Sequence, residues 1–360
     1  MNKVYIVAEA GVNHNGQLAL ARDLVNVAAD SGADAVKFQT FDAKKLATSA
    51  APKAAYQVNT TDAEESQLEM LQMLELPHEW HWELADLARS RGIEFLSTAF
   101  DSDSLSFLEK LNMPFYKVPS GELTNGPLLW KFARTRRPLV VSTGMATLSE
   151  VEEALAIINH ALNADEEPQN IQEVWRGWSN STWRTKLLGR VTLLHCTSQY
   201  PTPIAECNLR AMDALGVFGL PVGYSDHTEG TLVPVAAVAR GATFIEKHFT
   251  LDRTMPGPDH KASLEPGELV NMVKQIRDVE RAMGDSMKCP QQSEWNTRLA
   301  ARQSVVAARP IKAGHLFSRD DLKTARSGGQ GIPPNSLWEL VGATAMKDCG
   351  VGEPISRWPK

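Results

Sequence analysis

Two histidines, His227 in SDHT and His248 in EKHF, each follow a short apolar run that ends abruptly in polar residues. The runs are Pro221 to Tyr224, before Ser225-Asp226-His227, and Thr243 to Ile245, before Glu246-Lys247-His248. Both are too short for helices and read as buried strands with reactive groups at their C-terminal ends. Between them Leu232 to Arg240 is rich in Ala and Val and fits a helix, with Gly241 at the C-cap position. In such a βαβ unit both strand ends face the same side of the sheet, so the two imidazoles can meet. With Glu246, Asp226 and Asp259 nearby, the pair suits a divalent metal that keeps open positions for substrate or water. The plainer alternative is that each histidine only caps a strand or satisfies a buried backbone group.

The same template recurs along the chain. Further strand candidates are Val4 to Glu9, Ala35 to Thr40, Glu94 to Ala99, Phe115 to Ser120, Leu139 to Thr143 and Val191 to Cys196. Segments of helical period lie between them: Leu18 to Ala29, His78 to Arg91, Ser104 to Leu111, Pro127 to Arg134, Ser149 to Leu162 and Leu209 to Leu215, with Pro266 to Met283 after the last strand. Strands followed by helices over about 280 residues predict an α/β fold, the closed (β/α)8 TIM barrel. An open doubly wound sheet is the weaker alternative, because no GxGxxG follows the first strand.

A barrel of this kind presents its chemistry at the C-terminal ends of its strands. There the sequence places Glu9, Lys37, Gln39, Ser97, Thr98, Lys117, Ser120, Glu122, Ser142, Thr143, His195, Thr197, Ser198 and Tyr200. Two lysines in a barrel mouth need anionic partners, because an isolated buried ammonium would lose its proton. With Ser120, Ser142, Thr143 and the glycine backbone of SGE and STGM they make a cradle for a phosphate and a carboxylate. A Schiff-base lysine and a plain ion-pair network with Glu9 or Glu122 are the competing readings. A metal beside a held phosphorylated acid describes carbon–carbon bond formation at a polarised carbonyl.

Two connections exceed what the barrel needs. Phe41 to Leu76 reads as a lid or binding loop. Asn163 to Arg190 carries three tryptophans among polar residues, either a surface excursion with aromatic anchors or a subunit contact. The domain boundaries expected are 1–284 for the barrel, 285–300 for a linker and 301–360 for a small β-rich module, in which Arg302 to Ala308, Ile311 to Gly314 and Gly350 to Ile355 are the β segments.

Net charge is −6 with 22% charged residues and no long run of one sign, which argues against nucleic acid or an anionic membrane as partner. The N-terminal apolar run is too short for a signal peptide, and no segment approaches a membrane span. The four cysteines show no CxxC spacing. A cytoplasmic location is the expectation.

Taken together, AEAGVNHNG, VKFQTF, APKAAYQ, ESQLEMLQMLEL, FLSTAFD, YKVPSGELTN, VVSTGMAT, LLHCTSQYPTP, GYSDHTEG, IEKHFTLD and GPDHKASLEP closely resemble the sialic acid synthase family over almost the whole chain. The resemblance implies a (β/α)8 barrel with a C-terminal antifreeze-like SAF module that reaches over a neighbour's active site in a domain-swapped homodimer. It implies condensation of phosphoenolpyruvate with an N-acetylated mannose-type sugar, assisted by a divalent metal, Mn or Mg. His227 and His248 would hold that metal. Lys37, Gln39, Thr98, Lys117, Ser120 and Ser142 would hold phosphoenolpyruvate, with Lys37 and Lys117 as charge clamps. Glu9, Tyr200, Glu246 and Asp259 would line the sugar and reacting-water region, with Glu122 beside the sugar. Arg326, in TARSGGQGI, is the best match to the arginine the SAF module presents to the sugar's N-acetyl group, although the family's proline is replaced there. Within the family the YQ segment, QLEML and DHKASLEP lie nearer the neuraminate and legionaminate branches than the pseudaminate one. The favoured sugar is therefore 2,4-diacetamido-2,4,6-trideoxymannose, giving legionaminic acid, with N-acetylmannosamine as the alternative. The rivals from other classes are a Schiff-base barrel aldolase, a synthase acting on a phosphorylated sugar, and a non-catalytic sugar or ice-surface binder.

Overall fold

The apolar runs form eight parallel strands: β1 (Tyr5–Gly11), β2 (Ala35–Thr40), β3 (Glu94–Ala99), β4 (Tyr116–Val118), β5 (Leu139–Ser142), β6 (Val191–His195), β7 (Val222–Asp226) and β8 (Phe244–His248). The structure, a computed structural model, describes residues 3–58, 61 and 65–356. Residues 59, 60 and 62–64 of the long connection and 357–360 of the C-terminal module lie outside the described residues.

The strand order is β3-β2-β1-β8-β7-β6-β5-β4, so the first strand pairs with the last and the sheet curls into a barrel. It closes between β3 and β4, which lie side by side with no ladder pairing between them among the described residues. Helices cover the outside, among them Leu18–Asp30, His78–Ser90, Gly126–Arg134, Leu148–Asn163, Leu232–Ala239 and Pro266–Met283. The first buries Ala21, Leu24, Val25 and Ala28, the spacing that puts one apolar stripe against the sheet. Thr147 and Glu150 close a capping box at the start of Leu148–Asn163, contributing about 1 kcal/mol.

Strand positions agree with the sequence reading, with differences at the ends. β4 covers only part of Phe115 to Ser120, because Pro119 lacks the N–H that a ladder needs. β7 and β8 run on through their polar residues, whose side chains find partners across the two strands. Segment 102–111 begins earlier than expected, at Ser102, capped by the Asp101 carboxylate.

Among the described residues the long connection after β2 holds three short helices, Ala43–Leu46, Ala55–Val58 and Gln67–Met73. Its apolar residues Met70 and Leu74 pack with Val12 and Phe41 in a cluster of their own, apart from the barrel core. The tryptophan-bearing insert forms helices Ile171–Trp178 and Ser181–Arg184. Trp178 Nε1 donates to Glu152 at 2.8 Å, Trp183 lies 5.9 Å from the His160 ring, and Trp175 packs on the barrel core. The tryptophans are thus the anchors of a surface excursion, held inward by the barrel's own helices.

Contacts divide the chain into Met1–Gly284 and Asp285–Lys360. The stretch expected as linker belongs to the second unit and winds into a helix, Trp295–Ala301, after a capped turn at Gln292–Glu294. The second unit is β-rich: β9 (Gln303–Ala307) pairs antiparallel with β10 (Leu322–Arg326). Ile311 and Pro354, in the expected β segments, join through single bridges to Cys349 and Val306. β10 escapes sequence reading because LKTAR buries only Leu322 fully. Val305, Ile311, Phe317, Leu322, Leu337 and Ile355 form this unit's core. Among the described residues no helix is long and apolar enough to cross a membrane.

Candidate active site

Strand parity sorts the polar residues. Successive side chains point to opposite faces of a sheet, and Glu9, Lys37, Gln39, Thr98, Lys117, Ser142, Ser225 and Glu246 all project into one cavity of about 430 Å³, as do His227 and His248 just beyond or at the strand ends. Their neighbours of opposite parity face the helix layer instead. Asp226, expected near the metal, pairs with Lys247 at 2.5 Å, both side chains fully buried. His195 bonds the Cys207 carbonyl, Ser97 and Thr40 share a hydrogen bond, and Thr143 donates to the Leu194 carbonyl. Thr143 and Asp226 are therefore corrected: neither side chain lines the cavity.

At the floor of the cavity four charges form a closed set. Lys37 Nζ lies 2.6 Å from Glu9, 3.4 Å from Glu246 and 2.8 Å from the Thr98 hydroxyl. Lys117 Nζ lies 2.7 Å from Glu246, which also accepts from Ser225 at 2.8 Å. Register explains the meeting: Glu9 stands between Lys37 on β2 and His248 on β8, and Ser225 stands opposite Glu246. Burial pushes the Glu9 carboxyl up to about 7, against the pull of Lys37. Burial also works against charge on Glu246, yet Lys117 and Lys37 hold it well below the carboxylate range. Lys37 is likewise penalised by burial but kept above its ordinary value by Glu246 and Glu9. The lysines thus pair with Glu9 and Glu246, whereas Glu122 bonds Asn125, and a single proton on Glu9 separates a neutral set from a cationic one near pH 7.

Beside this set stand hydroxyls and a glycine. Among the described residues the buried Ser142 hydroxyl has no hydrogen-bond partner, and Ser120 Oγ accepts from the Gly144 N–H at 3.1 Å. A Cβ on Gly144 would lie 2.2 Å from Ser198 Oγ and 2.8 Å from both Cys196 Sγ and Ser120 Oγ, so only glycine lets these groups converge.

The two imidazoles have ring centres 5.4 Å apart. His227 Nδ1 meets the Thr197 carbonyl at 2.6 Å and must carry its proton there, which leaves a lone pair on Nε2 that accepts from Tyr200 at 2.9 Å. His248 Nδ1 makes no hydrogen bond among the described residues and lies 3.7 Å from Asp259. Burial lowers His227 to about 4 and, together with His227, drives His248 well below its ordinary value. Neutral imidazoles with an available lone pair are the form that ligates metal. Among the described residues no three His, Cys, Asp or Glu side chains converge to hold an ion unaided. The residues fit a metal with two protein ligands, its remaining positions open to substrate and water.

Of the expected site residues, Glu122 and Asp259 line a second, adjoining cavity that shares Gln39 and Tyr200 with the first. Burial raises Asp259 to about 6. Arg326 lies in the second unit as the exposed last residue of β10, in register with Gln303. Sequence reasoning missed Ser225, Cys196, Gln57, Gln67 and Phe100 as lining residues. Ser225 was findable, since it shares the parity of His227; Gln57 and Gln67 sit in the long connection, where no periodicity marks a direction.

The NeuB family model matches residues 24–288, and the SAF domain model matches residues 302–357. The chain is 47% identical to the N,N'-diacetyllegionaminic acid synthase of Campylobacter jejuni, over 97% of each chain. It is 45% identical to the N,N'-diacetyllegionaminic acid synthase of Legionella pneumophila, over 98% of this chain and 93% of that one. The crystal structure of N-acetylneuraminic acid synthetase from Leptospira borgpetersenii superposes with a TM-score of 0.66 at 31% identity, covering 81% of this chain and 89% of that one. The barrel with its polar mouth and the β-rich unit that follows are those of the NeuB family, to which this chain belongs, with a C-terminal SAF domain.

Proposed function

We propose that the chain condenses phosphoenolpyruvate, 2,4-diacetamido-2,4,6-trideoxymannose and water to a nine-carbon 2-keto acid, N,N'-diacetyllegionaminic acid, and phosphate. The observation that carries the reading is the placement of Glu9, Lys37, Lys117 and Glu246 beside two neutral histidines in one cavity. Similarity to two N,N'-diacetyllegionaminic acid synthases at 47% and 45% identity, against 34% for the human N-acetylneuraminate-9-phosphate synthase, supports the choice of sugar.

In this reading the phosphate and carboxylate of phosphoenolpyruvate lie among Lys37, Lys117, Thr98, Ser120 and Ser142, with Gln39 adjacent. The Ser142 hydroxyl gains a partner there, and Lys37 and Lys117 redistribute from the two glutamates toward the trianionic ligand. His227 and His248 would hold the divalent ion, Mn or Mg, whose chemistry when bound is Lewis-acid polarisation of a carbonyl oxygen. C3 of the enol bonds to the aldehyde carbon, water supplies the oxygen at C2, and the C2–O bond to phosphate breaks. Glu9, raised to about 7, can hold a proton for the developing alkoxide or take one from water near neutral pH. Glu246, kept ionised by both lysines, fixes their ammonium groups in place. Both lysines are engaged as charged donors, which disfavours a Schiff base, since that requires a neutral amine. Tyr200, Asp259, Glu122 and Arg326 are assigned to the sugar, a homodimer is the working assembly, and the cytoplasm is the location.

The test is phosphate release by metal-stripped protein given phosphoenolpyruvate, Mn and either 2,4-diacetamido-2,4,6-trideoxymannose or N-acetylmannosamine. Preference for the first is expected; preference for the second would make the chain an N-acetylneuraminate synthase, and no release with either would sink the activity. Calorimetric titration with Mn checks the metal separately: His248→Ala should weaken binding more than about tenfold.

A further inference from the structure

We propose that the cavity adjoining the histidine pair selects the sugar, receiving its 4-acetamido and 6-methyl substituents against an apolar wall supplied by the connection after β2. This rests on the function proposed above. The cavity holds about 330 Å³ and shares Tyr200, Gln39 and Phe100 with the first. Asp259, which also lines it, lies 3.7 Å from His248, while Tyr200 bonds His227. A sugar whose aldehyde carbon sits at the histidines therefore extends its far end into this second space.

The wall of that space is unusual for a sugar site. Val12, Phe41, Met70 and Leu74 form an apolar cluster separate from the barrel core, with Leu71 and Phe100 packed on it. Met70, Leu71 and Leu74 come from helix Gln67–Met73 and its C-cap, and the Ser66–Glu69 capping box fixes where that helix begins. Gln67 also faces the cavity, and its amide can both donate to and accept from an acetamido group. A hydroxyl pressed against the apolar wall loses water and gains nothing, whereas a methyl group gains by the same burial. The two candidate sugars differ in those groups: one carries hydroxyls at C4 and C6 where the other has an acetamido group and a methyl. The cluster is therefore a specificity element, and Met70 and Leu71 are its most direct handles.

The experiment compares kcat/KM for 2,4-diacetamido-2,4,6-trideoxymannose and N-acetylmannosamine in the wild-type chain, Met70→Gln and Leu71→Gln, with the KM for phosphoenolpyruvate as control. Leu71 is only half-buried, so its variant depends less on core packing than that of Met70. The wild type should favour the diacetamido sugar by at least about tenfold, and a polar group in the wall should shrink that ratio by about tenfold with the phosphoenolpyruvate KM unchanged. A ratio unchanged in both variants, or a wild type that prefers N-acetylmannosamine, overturns the assignment while leaving a condensing enzyme. Wild-type protein inactive on both sugars fails the proposed function itself, and this assignment with it.

Discussion

Lys247 Nζ and Asp226 Oδ2 meet at 2.5 Å as register partners on β8 and β7, with neither side chain exposed, on the opposite face from the site. Asp226 also takes the Thr228 hydroxyl, and Lys247 donates to the Thr228 carbonyl. The pair lies one residue from Glu246, His227 and His248, so it sets the strand registers that aim them. Removing one partner strands a buried charge. Lys247→Met should cost about 3–5 kcal/mol in chemical denaturation, and Lys247→Met with Asp226→Leu should recover most of it.

Glu246 bridges two lysines, so neutralising it changes the charge of the whole set. In Glu246→Gln the shape is kept, but Lys37 and Lys117 are left with Glu9 alone. We expect loss of about 3 kcal/mol of stability and at least about a hundredfold loss of kcat. A double-mutant cycle with Lys117→Met, read by denaturation, should give a coupling of more than about 1 kcal/mol; additive effects would mean that the pair is not formed.

Gly144→Ala probes the hydroxyl cradle without touching a charge. Its Cβ would displace Ser198, Cys196 and Ser120. The KM for phosphoenolpyruvate should rise by about tenfold or more while the sugar's KM moves little, since one misplaced group costs about that much. An unchanged phosphoenolpyruvate KM would remove Ser120 and its neighbours from the binding site.

Two buried histidines outside the site contribute to acid stability, alongside His227, His248 and His260, which burial also lowers. Burial lowers His14 to about 4, helped by His81 and His260, and lowers His81 to about 4 as well. Between pH 4 and the ordinary value of about 6.5 the unfolded chain binds protons that the folded chain refuses. Stability should therefore fall as pH falls through that window, by up to about 1.4 kcal/mol per pH unit for each histidine. Glu9 and Asp259, raised to about 7 and about 6, act in the other direction, their share being lost as pH rises through those values. Comparing urea unfolding of wild type and His81→Gln from pH 4.5 to 6.5 isolates the histidine: the variant's slope should be shallower, and equal slopes would refute the assignment.

Much of the site was legible because chemistry and strand pattern coincide. A buried apolar run ending in Lys37-Phe38-Gln39 or Glu246-Lys247-His248 fixes both the strand and its functional end, since only a strand terminus can expose such groups to a cavity. Strand parity is legible too: Ser225 and His227 share a face that Asp226 cannot share. The helix Trp295–Ala301 was hidden by a polar, proline-bearing approach that reads as linker.

The barrel, the order of its strands along the chain, and the identity of the acids, lysines and histidines at the strand ends can all be read from the chain alone. These follow from local hydrophobic period and residue chemistry. The closed set of Glu9, Lys37, Lys117 and Glu246, the turning of Asp226 away to Lys247, and the second cavity walled by Met70 and Leu74 come from the fold in three dimensions. Those relations depend on inter-strand register and on how an aperiodic connection folds back, and neither is encoded in the spacing of any single segment.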